Sequence, residues 1–173
     1  GVSAELLQNS DFSKPLSSKP GWSLYGKHNT SSVTEIETQD GMASLHVIDK
    51  DDAGEIGVVQ TAPAEAGLTY QAEVHLQASR PFSTKGAFLQ MRFLPSQKYA
   101  QAGLENTTYI TPESSWQKVA LLATAPKDTT QVQVYVYTQG KEQPDFYVKR
   151  VSLKSGFPPP EPSTIPDPIP PQY

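Results

Sequence analysis

The chain has no cysteine in 173 residues, which excludes disulfides, thiolate metal sites and cysteine nucleophiles. It also lacks an excess of positive charge. Fourteen Lys and Arg against 18 Asp and Glu leave a formal charge of −4. Without a net basic field to neutralise phosphates, nucleic acid is not an expected partner. No apolar run approaches the ~20 residues that carry a helix across a bilayer, so no membrane partner is expected either. Helical periodicity is missing too, since no stretch repeats apolar residues every 3.6 positions over three turns. Catalytic motifs are equally absent: there is no G-x-S-x-G elbow, no H-E-x-x-H and no phosphate loop. A glycosidase needs two carboxylates across a cleft, and the strand-borne acids Glu35, Glu37 and Glu73 give no such pairing. The chain does not read as an enzyme.

What is present is alternation. Hydrophobic residues are only 36% of the chain, enough for a sandwich whose strands each bury one face. The runs "GWSLYG", "SSVTEIET", "GMASLHVID", "GVVQT", "TYQAEVHLQA", "AFLQMRFL", "WQKVALLAT", "QVQVYVYT" and "FYVKRVSL" alternate apolar and polar residues between Gly, Pro, Asp and Ser breaks. Only "PSQKYAQAGLE" (95–105) has room for one helical turn. Many short strands at regular spacing predict an all-β fold, an antiparallel two-sheet β-sandwich of jelly-roll type, over residues 1–155.

Residues 156–173 differ. Eight of the chain's 16 prolines fall between Pro158 and Pro171, so this segment can neither form a helix nor join a sheet interior. It reads as a proline-rich linker, extended at ~3.1 Å per residue, or as a docking tail laid on the domain. The linker reading places a second domain after residue 173.

Four motifs in order carry a resemblance. "ELLQNSDF" followed by Gly21-Trp22, "VVQTAPAEAGLTYQAEVHLQAS", "SSWQKVALLATAP" and "FYVKRVSL" span residues 5–153. Together they resemble bacterial jelly-roll carbohydrate-binding modules of families 4, 9, 16 and 22. The resemblance implies a secreted, non-catalytic module that targets a tethered glycoside hydrolase or polysaccharide lyase to its glycan. It also implies that Trp22 and Trp116 pack the core. One departure stands out: Lys149 and Arg150 replace two aspartates, and Ser13 a glutamate, that commonly hold a structural calcium ion in those families. An ammonium cannot ligate a metal, so no cofactor is expected.

Candidate ligand-binding residues follow from strand faces. In "QVQVYVYTQ" the valines 132, 134 and 136 fall on one side, and Gln133, Tyr135, Tyr137 and Gln139 on the other. Tyrosine rings offer flat faces to the C–H patches of pyranoses, and alternate residues ~6.6 Å apart can meet successive sugar units. The plainer reading is that tyrosine favours strands and tolerates half exposure. In "AFLQMRFL", Gln90 and Arg92 share the outward side with Phe88, and Arg92 can fork onto vicinal hydroxyls or a uronate carboxylate. His75 and His46 lie on strands and either touch ligand or satisfy local polar needs. Tyr25, with Lys27 and His28, follows the Gly-Trp pair and belongs to the expected cleft rim. "DKDDAGE" (49–55) reads as an acidic turn, because Ala53 breaks the calcium-loop pattern.

The expected function is therefore binding of single polysaccharide chains in a concave cleft. The alternative is an architectural spacer or interaction domain of a cell-surface protein. Xylan, glucan, mannan and uronate polymers are all open.

Overall fold

A computed structural model describes residues 1–51, 54–106 and 116–161. Ten strands are formed: β1 (Ser23–Gly26), β2 (Ser32–Gln39), β3 (Met42–Asp49), β4 (Ile56–Pro63), β5 (Thr69–Ala78), β6 (Phe82–Leu94), β7 (Tyr99–Asn106), β8 (Gln117–Thr124), β9 (Gln131–Thr138) and β10 (Asp145–Ser155). They pair antiparallel into two five-stranded sheets, β1-β4-β9-β6-β7 and β2-β3-β10-β5-β8. This is the expected β-sandwich. Among the described residues the one helical element is a 3-10 turn, Gly140–Glu142.

Alternation builds the core. Val132, Val134 and Val136 of β9, Leu89 and Met91 of β6, and Val74 and Leu76 of β5 are all fully buried between the sheets. In β10 the inward series Phe146, Val148, Val151, Leu153 is kept in phase by a bulge between Val148 and Arg150. That extra residue holds Lys149 and Arg150 off the core face.

The N-terminal segment closes one end of the sandwich. Phe12, in a left-handed conformation (φ 57°), stacks on Trp22 with ring centres 5.7 Å apart. The Trp22 indole N–H donates to the Asn9 carbonyl at 2.9 Å. The Asn9 side chain in turn bridges Lys14, accepting its N–H at 3.0 Å and donating to its carbonyl at 3.1 Å. The spaced Asn, Phe and Trp of the opening motif are thus one interlocked plug.

Before that plug, the chain runs along β10 as a partial extra strand. Ser3 N–H donates to the Ser155 carbonyl at 2.8 Å, and Leu6 N–H to that of Leu153 at 2.9 Å. Beyond β10, the Gly156 N–H donates to the Thr69 carbonyl at 3.1 Å. The proline-rich segment from 162 onward lies outside the described residues.

Segment 95–105 departs from expectation. It forms a turn followed by β7, which pairs with β6 from Arg92–Tyr99 to Ala87–Leu104. Its alanines and Gly103 give little apolar alternation, so the strand is dictated by its neighbour rather than by its own pattern.

Candidate functional site: an aromatic and polar face on one sheet

Register assembles the site. Tyr25 of β1 pairs with Gly57, and Gly57 with Tyr137; beyond them Tyr137 pairs with Phe88. The next outward row is Val59, Tyr135, Gln90 and Gln101, and the third is Thr61, Gln133, Arg92 and Tyr99. A β-carbon at Gly57 would lie 2.0 Å from the Val136 carbonyl oxygen and 2.7 Å from Tyr137 Cα. Only glycine permits this close passage of β4 under the tyrosines.

The rings pack edge to face. Tyr25 meets Tyr135 at 5.3 Å and Tyr137 at 5.8 Å, both nearly perpendicular. Beside them opens a pocket of about 250 Å³, walled by Tyr25, Tyr135 and Tyr137 and by the polar groups of Glu55, Gln90, Arg92 and Gln97.

The polar groups are held by hydrogen bonds in two pairs and one longer chain. Tyr25 Oη donates to Glu55 Oε2 at 2.6 Å, and Tyr135 Oη to Gln133 Oε1 at 2.9 Å. Gln101 Oε1 accepts from Tyr137 Oη at 2.6 Å and from Gln90 Nε2 at 2.8 Å. Arg92 donates from Nε to Gln90 Oε1 and from Nη1 to Gln97 Oε1, each at 3.2 Å. Its guanidinium carbon lies 4.7 Å from the centre of the Tyr99 ring. Gln97 reaches it from a left-handed backbone position, φ 70°.

Burial, then the bond to Glu55, pushes the Tyr25 phenol well above its ordinary pKa. Burial also raises that of Tyr135, with Arg92 pulling the other way. Both phenols are therefore neutral donors near pH 7. Among the described residues, Glu55 is the one carboxylate on this pocket's lining. The arrangement can bind and orient.

Six of the expected ligand residues share this face: Tyr25, Gln90, Arg92, Gln133, Tyr135 and Tyr137. Tyr135 and Tyr137, both expected to meet successive sugar units, are not equivalent. Tyr137 is only 6% exposed, tilted against Phe88 at 5.4 Å, and its ring stands at 78° to that of Tyr135. It forms floor, and Tyr135, half-buried, is the ring left to meet a ligand. Gln139 lies past the end of β9, where its N–H donates to the Gly86 carbonyl at 2.8 Å, away from the pocket.

His46 and His75 do not join the cleft either, because β3 and β5 belong to the other sheet. His46 is 8% exposed, bonded through Nδ1 to Glu37 and through Nε2 to Asp145 at 2.6 Å, with Tyr147 stacked at 4.0 Å. His75 Nε2 lies 3.4 Å from Glu73. Alternation announces an outward side chain but not which sheet carries it. Glu55, Gln97, Gln101 and Tyr99 were not among the expected ligand residues. Glu55 sits in the acidic segment, and the other three in the stretch given to a helical turn.

The His46 cluster has a pH consequence. Burial opposes the charged imidazole, but the bonds to Asp145 and Glu37 outweigh it and hold its pKa above the usual histidine value. Asp145 is held below its ordinary value by its bond to His46, against burial. A raised His46 stabilises fully below the unfolded imidazole pKa, and that contribution is lost as pH rises through the folded one. A depressed Asp145 stabilises above the unfolded carboxyl pKa and is lost as pH falls through the folded one. Both contributions coincide between about pH 4.5 and 6.5. His46→Gln should therefore cost most there, about 1–3 kcal/mol, and progressively less above pH 7. Thermal melts of both proteins across pH 4.5–9 check this; a gap that does not vary with pH contradicts it.

The region that resembles a family calcium site holds cations instead. Arg150 Nη2 lies 3.5 Å from Glu5 Oε1, and the Lys149 ammonium 4.8 Å over the Trp116 ring. With Asp11 and Ser13 they surround a hollow of about 330 Å³. Asp11 Oδ1 is engaged by the Ser13 N–H at 3.1 Å. The hollow is lined by two cations, Lys149 and Arg150, and one carboxylate, Asp11, with Glu5 as a second carboxylate on Arg150. Trp22 is in the core as expected; Trp116 is half-buried outside it, beneath Lys149.

No family model and no curated protein matches the chain. Solved structures do. A second family 16 carbohydrate-binding module superposes with a TM-score of 0.60 at 13% identity, over 86% of this chain and 98% of that one. The xylohexaose-bound family 22 module and family 10 catalytic module of Clostridium thermocellum xylanase 10B give 0.60 at 15%, over 87% and 28%. A cyclase from Fischerella sp. TAU gives 0.65 at 15%, over 90% and 98%. The chain spans only 21% to 28% of the longer solved chains it matches. At these identities the likeness is one of fold: the chain has the β-sandwich architecture of carbohydrate-binding modules such as those of families 16 and 22.

Proposed function

We propose that the chain is a non-catalytic polysaccharide-binding module of a secreted bacterial protein. It engages a glycan chain on the outward face of the β1-β4-β9-β6-β7 sheet. Through its proline-rich segment it is tethered to a glycoside hydrolase or polysaccharide lyase that it holds at its substrate. The observation that carries this reading is the pocket itself. A half-buried phenol ring stands beside a guanidinium bonded to two amides and a carboxylate bonded to a second phenol. Apolar ring faces for C–H patches and preset donors and acceptors for hydroxyls are what a sugar ring needs. Fixing these side chains before binding lowers the ordering cost that weak ligands otherwise bear. No metal takes part in this reading. Tethering then makes capture of the polymer intramolecular and multiplies modest contacts into useful retention.

Affinity electrophoresis through gels containing soluble polysaccharides tests it. Retardation is expected in at least one gel. Tyr135→Ala should weaken that binding about 10- to 100-fold, the loss of one buried aromatic contact. Tyr135→Phe should keep most of it. Unretarded migration in every gel would favour the architectural spacer instead.

A further inference from the structure

We propose that this face selects an acidic polysaccharide, with the carboxylate of a uronic acid unit seated on Arg92; the proposal rests on the sugar-binding reading above. Arg92 is half-buried in a chain whose charge is net negative. All its described partners are neutral: the Gln90 and Gln97 side-chain oxygens and the face of Tyr99. Among the described residues no carboxylate lies within ion-pair distance of it, although His46, His75 and Arg150 each have one. A half-buried guanidinium with no carboxylate in ion-pair contact is a ready partner for one that a ligand brings.

The guanidinium is also aimed. Nε and Nη1 are occupied, so its plane is fixed, and the Nη2 hydrogens make no hydrogen bond among the described residues. Those hydrogens are the complement of a carboxylate oxygen, in the planar geometry that distinguishes arginine from lysine.

The rest of the pocket indicates that the acid is carried on a sugar ring. Arg92 sits diagonally across the strand pair from Tyr135, because Tyr135 faces Gln90, two residues before it. Side chains at such diagonal positions, ~7–8 Å apart at the backbone, can hold two parts of one ligand. A pyranose against Tyr135 therefore presents a substituent at its ring edge to Arg92. Glu55 can only accept, and one of its oxygens already takes the Tyr25 hydroxyl. Its place in the pocket favours ligand hydroxyls there and confines a ligand carboxylate to the Arg92 end.

The test uses the whole chain in calorimetric titrations. Its ligands are oligosaccharides of mannuronate, guluronate, galacturonate and glucuronate, each alongside its carboxyl-reduced neutral counterpart. Wild-type protein should bind one acidic series about 10- to 100-fold more tightly than its reduced form. That preference should shrink as salt is added. Arg92→Gln should abolish that preference, weakening the acidic ligand about 10- to 100-fold more than the reduced one; Arg92→Lys should restore only part of it. Equal wild-type affinity for acidic and reduced forms would overturn the proposal, even if Arg92→Gln failed to fold, and would leave the sugar-binding reading standing. Binding of neutral polysaccharides alone would do the same. No binding to any acidic or neutral ligand would overturn both.

Discussion

Trp22→Ala is expected to be the most damaging single change in this domain, lowering its stability by about 3–5 kcal/mol. The indole is 1% exposed and stacked on Phe12, so its removal empties the plug that closes one end of the sandwich. Neither neighbour can collapse freely into the space. Phe12 is held in its left-handed turn, and Asn9 is tied to Lys14 by two hydrogen bonds. The Asn9 carbonyl also loses one of its two donors, keeping the Phe12 N–H at 3.2 Å. For a domain of this size the loss corresponds to a fall of about 6–20 °C in melting temperature. Trp22→Phe separates the two contributions, since it restores most of the packing but not the N–H. It should cost about 1–2 kcal/mol, the loss of one hydrogen bond plus a small void. Thermal melts and denaturant titrations of the pair measure both. If Trp22→Ala shifted the midpoint no more than Trp22→Phe, the plug would not be a structural keystone.

The second large effect belongs to Asp49. This residue, in the segment read from sequence as an acidic turn, is fully buried. Its Oδ1 accepts from Ser32 Oγ at 3.2 Å and from the Asp51 N–H at 3.1 Å, and its Oδ2 accepts a short bond from Thr138 Oγ1. Thr138 Oγ1 in turn accepts the Ile56 N–H at 3.2 Å. One carboxyl group thereby joins β2 and the end of β3 to the last residue of β9 and the first of β4. Tyr137 precedes Thr138 and Glu55 precedes Ile56, so the clamp sets two walls of the pocket from behind. Asp49→Ala strands three donors and should cost about 3 kcal/mol or more. It should also weaken the proposed glycan binding several-fold by releasing Glu55 and Tyr137. Asp49→Asn keeps one acceptor oxygen, and the hydroxyls of Ser32 and Thr138 can rotate to accept from its amide, so a smaller loss is expected. Unfolding curves and affinity electrophoresis on the same preparations check the coupling. Lower stability with unaltered retention would mean that the pocket walls are fixed independently of this clamp.

These two residues show where sequence reading succeeds and where it stops. The family resemblance placed both Trp22 and Trp116 in the core, and it holds for Trp22 alone. Nine of the ten strands were legible from the residues themselves, since burial of one face per strand imprints alternation. β7 was not, because Ala100, Ala102 and Gly103 carry almost no polarity contrast and the strand exists through pairing with β6. Asp49 was legible only as an acid in a turn. Its burial depends on Thr138, almost ninety positions away, and no local pattern records that contact. The candidate site divides in the same way. The outward direction of Tyr135, Gln90 and Arg92 follows from alternation alone. Which strands lie side by side follows from register, so sequence could not separate His46 and His75 from the cleft. Nor could it draw in Gln97 and Gln101.

The pairing of the N-terminal segment with β10 has a mechanical side. Because Ser3 lies opposite Ser155 and Leu6 opposite Leu153, the two ends of the sandwich leave it side by side. A pull between them would load those contacts one after another, like a zip, instead of sharing the load in shear. Tension passed through both ends would strip the N-terminal segment at low force, well before the sheets part. A drag applied to the C-terminal end alone, with a ligand held on the other sheet as proposed, would bypass that weak seam.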